Sequence, residues 1–376
     1  MKIAQRQRQA NGSWNLISDS DTKANLVLAF GGREELSNAE RYNEIKNFYP
    51  DAHILMGSTS GEIMGEQVFD NTISLTAINF EKTELKIATL NISEVANSIE
   101  AGKKLAENLN SEKLKHVFVL SDGLKVNGSE LVKGFNSVLK SNISVTGGLA
   151  GDAAKFEKTL VGINQAPGEG VVVAIGFYGD NVRVGHGSAG GWDPFGPERV
   201  VTKSTGNVLF ELDGQSALQL YKTYLGDKAS GLPGTGLLFP LSLKEKGSTT
   251  SVVRTLLAVN EADQSMTFAG DIPQGCIAQL MKANFDRLID ASIGVAEKNL
   301  EKLKCDAELA ILISCVGRKL VLGQRIDEEV EEVRGVLGDK TSIIGFYSYG
   351  EISPLTAADS CQLHNQTMTI TTISEN

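Results

Sequence analysis

The chain has 376 residues, 41% of them hydrophobic and 22% charged, which is typical of a globular protein with at least one large core. Its formal net charge of −10 makes nucleic acid and anionic membranes poor partners, because both carry charge of the same sign. Residues 1–11 lack the apolar core of a signal peptide, and no apolar run has transmembrane length. We therefore expect a cytoplasmic protein without membrane insertion, and four cysteines without a C-x-x-C pair agree with a reducing compartment.

The N-terminal part has the order strand, helix, strand, glycine turn, strand. An apolar run at 26–30 predicts a buried strand, and a helix follows over about 34–49. A strand from His53 leads into a glycine-rich turn at 57–63, and apolar and polar residues alternate at 72–78. This alternation indicates a sheet with one exposed face, which argues against a purely parallel doubly wound sheet.

The same order recurs twice along the chain. The later copies contain strands at 117–120, 171–177, 309–315 and 367–373, helices at 131–139 and 326–337, and glycine turns at 147–152 and 345–352. Ser-Gly-Glu-Ile at 60–63 and Tyr-Gly-Glu-Ile at 349–352 are near copies of each other. These recurrences predict three related units with Gly57, Gly147 and Gly345 at equivalent turns.

A different pattern separates the second and third copies. We predict helices at 213–225 and 276–303 and strands at 237–241, 252–259 and 266–268. The glycine-rich stretch 226–236 predicts a domain boundary. The expected fold class is α/β (α+β), with mixed β-sheets, flanking helices and internally repeated β-α-β-turn-β units in two domains. The predicted parts are an N-terminal extension at 1–23, a first domain at 24–225 and a C-terminal domain at 226–376.

Several short motifs in one order carry a family resemblance. They are GSTSGE at 57–62, GGLAGD at 147–152, GNVLFELDG at 206–214, SCVGR at 314–318, GFYSYGEI at 345–352 and HNQT at 364–367. In this order they resemble the FIST family, which has paired N-terminal and C-terminal domains. The resemblance implies a sensory protein for a small ligand. It resembles stand-alone bacterial members that bind haem, sense nitric oxide and regulate a separate histidine kinase or cyclic-dinucleotide enzyme.

Four histidines make the search for a haem ligand short. His186 lies in the glycine-rich stretch 185–197, where Trp192 and Phe195 could cover the faces of a haem b macrocycle. The alternative for this stretch is an ordered loop whose aromatic side chains plug the edge of the core. His364, in the family pattern, is the second candidate for the iron, or it fixes a turn near Glu351. His53 is expected to be structural, and His116 is expected at the surface.

Arg318 is the predicted anchor for an anionic ligand, because it follows the strand ending at Cys315 and its planar guanidinium suits a carboxylate. Tyr347, Tyr349 and Glu351 belong to the neighbouring turn and are predicted to line the same pocket. The alternative is a structural ion pair between Arg318 and Glu351. These residues would serve a second function, a sensor for an amino-acid-like metabolite without haem.

A third function, a hydrolase or transferase using Cys315 or Glu351, has little support in the sequence. The chain contains no G-x-S-x-G elbow, P-loop, H-E-x-x-H motif or kinase motif set. No histidine lies near Cys315 in the sequence to act as its base, and the cysteine sits in an apolar run. We therefore expect a binding protein and not an enzyme.

Overall fold

A computed structural model describes residues 1–18, 23–248, 250–355 and 360–376. Four β-sheets with flanking helices confirm the mixed α/β class. In the first unit the elements are β1 (Lys2–Arg8), β2 (Trp14–Ser18), β3 (Leu26–Gly32), α1 (Arg33–Leu36), α2 (Glu40–Phe48), β4 (His53–Thr59), β5 (Glu62–Met64), β6 (Gln67–Phe69) and β7 (Ile73–Asn79). Residues 1–23, predicted as an extension, thus supply two strands of the first sheet.

The second unit follows directly. Its elements are β8 (Glu84–Asn91), α3 (Ser98–Leu109), β9 (Leu114–Ser121), α4 (Gly128–Val138), β10 (Ser144–Leu149), β11 (Val161–Ile163) and β12 (Val171–Tyr178). Asn97 and Asn127 are the N-caps of α3 and α4, and each side chain accepts a hydrogen bond from a backbone N–H in the first turn. The two helices pack on the outer face of their sheet around Leu105, Leu131 and Phe135.

The third unit is interrupted by an inserted layer. It begins with β13 (Val182–Ala189), and the insertion contains β14 (Asp193–Pro194), β15 (Arg199–Thr205), β16 (Val208–Leu212), β17 (Gln215–Ser216), α5 (Ala217–Leu225), β18 (Leu241–Lys244), β19 (Val252–Arg254), β20 (Leu256–Asn260), β21 (Ser265–Phe268) and β22 (Ile277–Lys282). The unit resumes with α6 (Phe285–Leu303), β23 (Leu309–Cys315), α7 (Val316–Leu322), α8 (Ile326–Leu337), β24 (Ser342–Ser348), β25 (Gly350–Ser353), β26 (Gln362–His364) and β27 (Met368–Glu375).

The helix predicted over 276–303 is wrong in its first part, which forms β22. Strand β22 is an interior strand of the inserted sheet and pairs with β14, β15 and β18, so tertiary pairing overrides the helical pattern there. Asn284 then caps α6 through its side chain. Among the described residues, no helix combines the length and the apolar character that a membrane span requires.

The three units share one strand order. A central strand, β3, β9 or β23, pairs in parallel with β4, β10 or β24 and antiparallel with β7, β12 or β27. The first strand of each unit, β1, β8 or β13, then pairs antiparallel with the last. This common order supports the internal repeat.

The units also exchange strands in a ring. Strand β5 of the first unit pairs with β24 of the third, β25 of the third with β10 of the second, and β11 of the second with β4 of the first. Strand β13 lies before the predicted boundary at 225/226, yet it pairs with β27 after it. The fold therefore ties both halves of the chain into one interlocked structure.

The predicted equivalence of the three glycines is wrong in two respects. All three lie inside strands, not in turns. Gly147 and Gly345 do occupy matching places, since a methyl group on either would overlap a carbonyl oxygen of the parallel neighbour, at Val119 and Leu312. Gly57 lies one register position later, a place that Gly148 and Phe346 hold in the other units.

The central core lies between the inner faces of the three sheets. The continuous apolar run in β3 is buried on both faces: Leu28 and Phe30 point into this shared core, and Val27 and Ala29 point outward under α2. Phe346 contacts Phe30 with a ring separation of 4.6 Å and lies against Gly148, while Leu120 occupies the space beside Gly57. The centre of the molecule is therefore closely packed.

Candidate functional site

His186 lies inside β13 and not in a loop. A methyl group at its neighbour Gly185 would overlap Asn299, and one at Gly187 would lie 3.3 Å from it, so these glycines allow α6 to approach the strand closely. Lys302 of α6 donates a hydrogen bond of 3.2 Å to the backbone carbonyl of His186. The glycines that suggested a haem loop therefore serve helix packing.

The His186 imidazole lines a cavity of about 500 Å³ beside α4 and the start of β10. Other lining residues are Lys115, Asn136, Leu139, Lys140, Ile143, Val184 and Cys361. Its Nδ1 atom is buried and has no hydrogen-bond partner in the part of the chain that the structure describes. Burial, with a smaller contribution from Lys302, lowers the pKa of His186 to about 4, so the ring is neutral at physiological pH.

Trp192 and Phe195 do not flank this imidazole. The Trp192 indole N–H donates a hydrogen bond of 2.8 Å to the carbonyl of Gln366, and the ring packs with Leu288 and Met281. Phe195 packs on Phe239 in the core of the insertion. The alternative interpretation, aromatic side chains that fill the edge of the core, describes both residues.

Of the remaining histidines, His116 is placed differently from expectation, and His364 pairs with Glu351 across two strands, as its alternative role near that turn requires. His364 is buried, and its Nε2 atom lies 2.8 Å from the backbone carbonyl of Ser353, to which it donates. His116, expected at the surface, is fully buried between the hydroxyls of Ser144 and Thr146. His53, expected to be structural, is exposed at the start of β4, where its Nδ1 atom lies 3.0 Å from the Asn164 side-chain amide. These placements depend on which face of the sheet each histidine side chain lies on, and the sequence does not reveal that face.

Arg318 lies in α7 and is completely buried, with Glu329 of α8 as its ion-pair partner at 2.5 Å. The alternative of an Arg318–Glu351 pair is therefore wrong in its partner. The guanidinium also donates to the carbonyls of Gly190 and Leu288 and to the Ser292 hydroxyl. These contacts connect α7 to α6, α8 and the end of β13.

The other three residues of the predicted pocket diverge. Tyr347 is buried below Lys319, whose Nζ atom lies 5.6 Å from the ring centre. Tyr349 points the other way, stacks on Phe156 with 4.4 Å between ring centres, and donates from its hydroxyl to Asp152. Only Tyr349 of the four lines one of the main cavities found in the described residues, with a volume of about 300 Å³. Ligand binding by the four residues as a set stays a prediction.

Glu351 and Glu62 form a matched pair of buried carboxyls. Glu351 accepts hydrogen bonds from Ser348 at 2.6 Å and from the N–H and hydroxyl of Thr367 at 3.2 and 2.9 Å. Glu62 accepts from Thr59 and from both groups of Thr72 in the same way. Burial outweighs these donors and raises the pKa of Glu62 to about 7 and the pKa of Glu351 to about 8.

These raised pKa values predict a loss of stability with rising pH. The folded protein holds the protons while the unfolded chain releases them near the ordinary pKa of 4.5, so the free energy of unfolding falls between that pH and about 7 for Glu62 and about 8 for Glu351. The decline is at most about 1.4 kcal/mol per pH unit for each group. We expect urea unfolding midpoints at pH 5.5 and 7.5 to differ less in Glu351→Gln than in the wild type.

A matched control for this experiment is Glu328→Gln. Arg325 lowers the pKa of Glu328 through a hydrogen bond, so this carboxyl is ionised in both states across the range tested. Its replacement should leave the pH dependence of the midpoint unchanged. Equal slopes in wild type and Glu351→Gln would contradict the assignment.

Comparison with known families fits the two-part sequence pattern. The FIST N domain matches residues 25–215, and the FIST C domain matches residues 217–354. The chain belongs to the FIST family. FIST domains are sensory domains that bind small ligands in signal transduction. The FIST N and FIST C matches meet at residue 216, nine residues before the predicted boundary at 225/226, which stays a prediction.

Two further comparisons add little to the FIST assignment. No curated protein matches the sequence. Among solved structures, a cyanuric acid hydrolase from A. caulinodans matches at 11% identity and a TM-score of 0.20, covering 78% of this chain and 99% of that chain. A similarity this low supports no inference about the chain.

The cavity around His186 contains residues that the sequence did not single out. Lys140 and Lys115 bring positive charge to it, and Lys115 forms an ion pair of 2.7 Å with Asp180. Cys361 lies in the wall, where its thiol donates to the Val145 carbonyl at 3.2 Å. These side chains come from separate elements, so no local motif could have found them. Within the described residues, no group of three or more His, Cys, Asp or Glu side chains is arranged to hold a metal ion.

Proposed function

We propose that this FIST protein is a sensor that binds haem b through His186, responds to nitric oxide, and regulates a separate histidine kinase or cyclic-dinucleotide enzyme. The observation that carries the proposal is a neutral imidazole in the wall of a cavity of about 500 Å³. Cavities of roughly 300–1,000 Å³ suit small organic ligands and cofactors. A haem iron takes its axial bond from a neutral imidazole.

The residues around His186 fit a haem in most respects. Leu139, Ile143 and Val184 offer apolar surface to a macrocycle, and Lys140 offers a positive charge for a propionate. His364 fits less well, because its Nε2 proton is held by the Ser353 carbonyl. Attachment of the c type is excluded, because the sequence has no C-x-x-C-H motif.

One feature of His186 bears on the sensing step. Histidines that ligate metals usually donate their second ring N–H to an acceptor, which raises their basicity, whereas Nδ1 of His186 lacks such a partner within the described residues. Iron would therefore be held comparatively weakly by this imidazole. When bound, ferrous haem supplies the iron that takes up nitric oxide.

Strand β13 offers a route from His186 to the surface. Lys302 of α6 holds the backbone carbonyl of His186, and α6 packs closely at Gly185 and Gly187. A shift of the strand would therefore move α6. We propose that the partner enzyme reads this movement on the exposed side of the helix.

The test is reconstitution of the purified protein with haemin, followed by its absorption spectrum. We expect His186→Ala to shift the Soret band and lose most of the haem, while His364→Ala retains it. His53→Ala is the matched control, because this histidine is exposed and distant in sequence from the cavity wall. Unchanged haem content and spectrum in His186→Ala would refute the ligand assignment.

A second candidate is a sensor of an amino-acid-like metabolite without haem. The stacked pair of Phe156 and Tyr349 favours it, since this pair forms a flat wall of the cavity of about 300 Å³. Lys125 and Asn207 lie in the same wall. Wild-type protein that takes up no haemin, together with loss of metabolite binding in Tyr349→Ala, would establish this function instead.

A further inference from the structure

Arg254 is a buried cation without a counter-ion among the described residues. It ends strand β19, and only 6% of the residue is exposed. Its Nε atom donates to the Asp271 carbonyl at 3.2 Å, and Nη1 donates to the carbonyls of Val253 and Leu363 at 3.2 and 3.0 Å. No described carboxylate lies within 4.0 Å of the guanidinium, in contrast to Arg318 and its partner.

Burial lowers the pKa of Arg254 to about 10, so the guanidinium still carries its charge at neutral pH. Three backbone carbonyls orient it but do not neutralise it. Asp271 attracts the guanidinium only from beyond contact distance and is itself paired with Lys133. A buried charge without a counter-ion in contact is destabilising. An anion bound beside the guanidinium would remove that cost.

The guanidinium lines a cavity of about 340 Å³ between α4 and the inserted layer. In the described part of the chain, Nη2 has no hydrogen-bond acceptor, and the buried hydroxyl of Ser129 in the same cavity has no partner either. Ser129 lies in the first turn of α4, where the free N–H groups of the helix favour an anion. Two unpartnered donors, on different elements, therefore belong to residues that line one cavity.

The other charges in the lining limit the charge of the ligand. Asp271 forms an ion pair of 2.6 Å with Lys133, and Glu245 is exposed at the rim. These two carboxylates would repel a phosphate dianion more strongly than a single carboxylate. A planar carboxylate also suits the edge of a guanidinium.

We propose that the cavity between α4 and the inserted layer is a binding site for a small organic monocarboxylate, anchored by Arg254 and the Ser129 hydroxyl. The site is separate from the His186 cavity, although Asn136 and Cys361 line both. A ligand at Arg254 would therefore be separated from the proposed haem cavity by side chains that line both cavities. The proposal does not depend on haem.

The test uses the full-length protein without haem and measures Tm in sodium butyrate, sodium phosphate and sodium chloride at equal ionic strength. We expect butyrate to raise Tm by about 2 °C or more over chloride. Arg254→Met should lose this difference, and Arg254→Lys should retain part of it. Ser129→Ala, a smaller change, should weaken butyrate binding by about three- to tenfold in a calorimetric titration.

Each outcome decides the proposal. Butyrate protection no greater than that of chloride, or equal protection of Arg254→Met, would overturn it. Protection by phosphate as strong as that by butyrate would overturn the carboxylate assignment in favour of inorganic phosphate. If Arg254→Met fails to fold, the two other variants decide the outcome. Unchanged butyrate affinity in Ser129→Ala overturns the anchoring role of that hydroxyl. Unchanged butyrate affinity in Arg254→Lys overturns the role of the guanidinium.

Discussion

Replacing Glu329 by alanine should destabilise the protein by about 3–5 kcal/mol, because it leaves the buried Arg318 guanidinium without its counter-ion. Both side chains of this pair are fully buried. Glu329 also accepts a hydrogen bond of 2.9 Å from the Ser314 hydroxyl, so the variant leaves two buried groups unsatisfied. The free energy of unfolding from urea titration at pH 7 measures the loss.

The adjacent residue provides the control for this experiment. Glu328 pairs with Arg325 on the surface of α8, where both side chains are over 40% exposed. Surface pairs contribute about 0–1 kcal/mol, so Glu328→Ala should change stability little. Similar losses of unfolding free energy in the two variants would show that the Arg318–Glu329 pair does not stabilise this region. Arg318 would then again be a candidate for binding an anionic ligand.

Phe346→Ala should also cost about 3–5 kcal/mol, since large aromatic residues in a rigid core leave a cavity when truncated. Phe346 is completely buried at the centre of the three sheets and contacts Phe30. Its equivalents in the other units are Gly57 and Gly148, and neither has a side chain that could fill the gap. Urea unfolding again gives the measurement.

Phe285→Ala is the matched aromatic control. This ring is 45% exposed at the start of α6 and lies 5.9 Å from the Arg325 guanidinium. Its loss should cost about 1 kcal/mol or less. A Phe346→Ala variant no less stable than Phe285→Ala would contradict close packing at the centre of the molecule.

The difference between Arg318 and Arg254 explains much of what sequence reasoning reached and missed. Arg318 lies in a family motif after a predicted strand and was therefore predicted to bind an anion, but Glu329 already neutralises it. Arg254 lies in no motif, and no described carboxylate neutralises it. Sequence identifies a cation, but only the folded structure shows whether its counter-ion belongs to the protein or has to come from a ligand.

The sequence by itself determined the repeated strand order and the membership of the FIST family. A continuous apolar run such as 26–30 or 309–315 predicts a strand that is buried on both faces. The prediction needs only the residues of that segment, so the sequence is sufficient for it. The predicted match of Gly57 of the first unit with Gly147 and Gly345 was wrong by one register position, because register depends on which strand pairs alongside.

Only the tertiary structure decided the ring of exchanged strands, the strand character of residues 277–282 and the surroundings of each histidine. His186 faces a cavity while Gly185 and Gly187 face α6, since successive residues of a strand point to opposite sides. Cavities, buried charges and their partners arise from segments that lie far apart along the chain. Burial and pairing are properties of the packed whole, and for that physical reason the sequence alone did not reveal them.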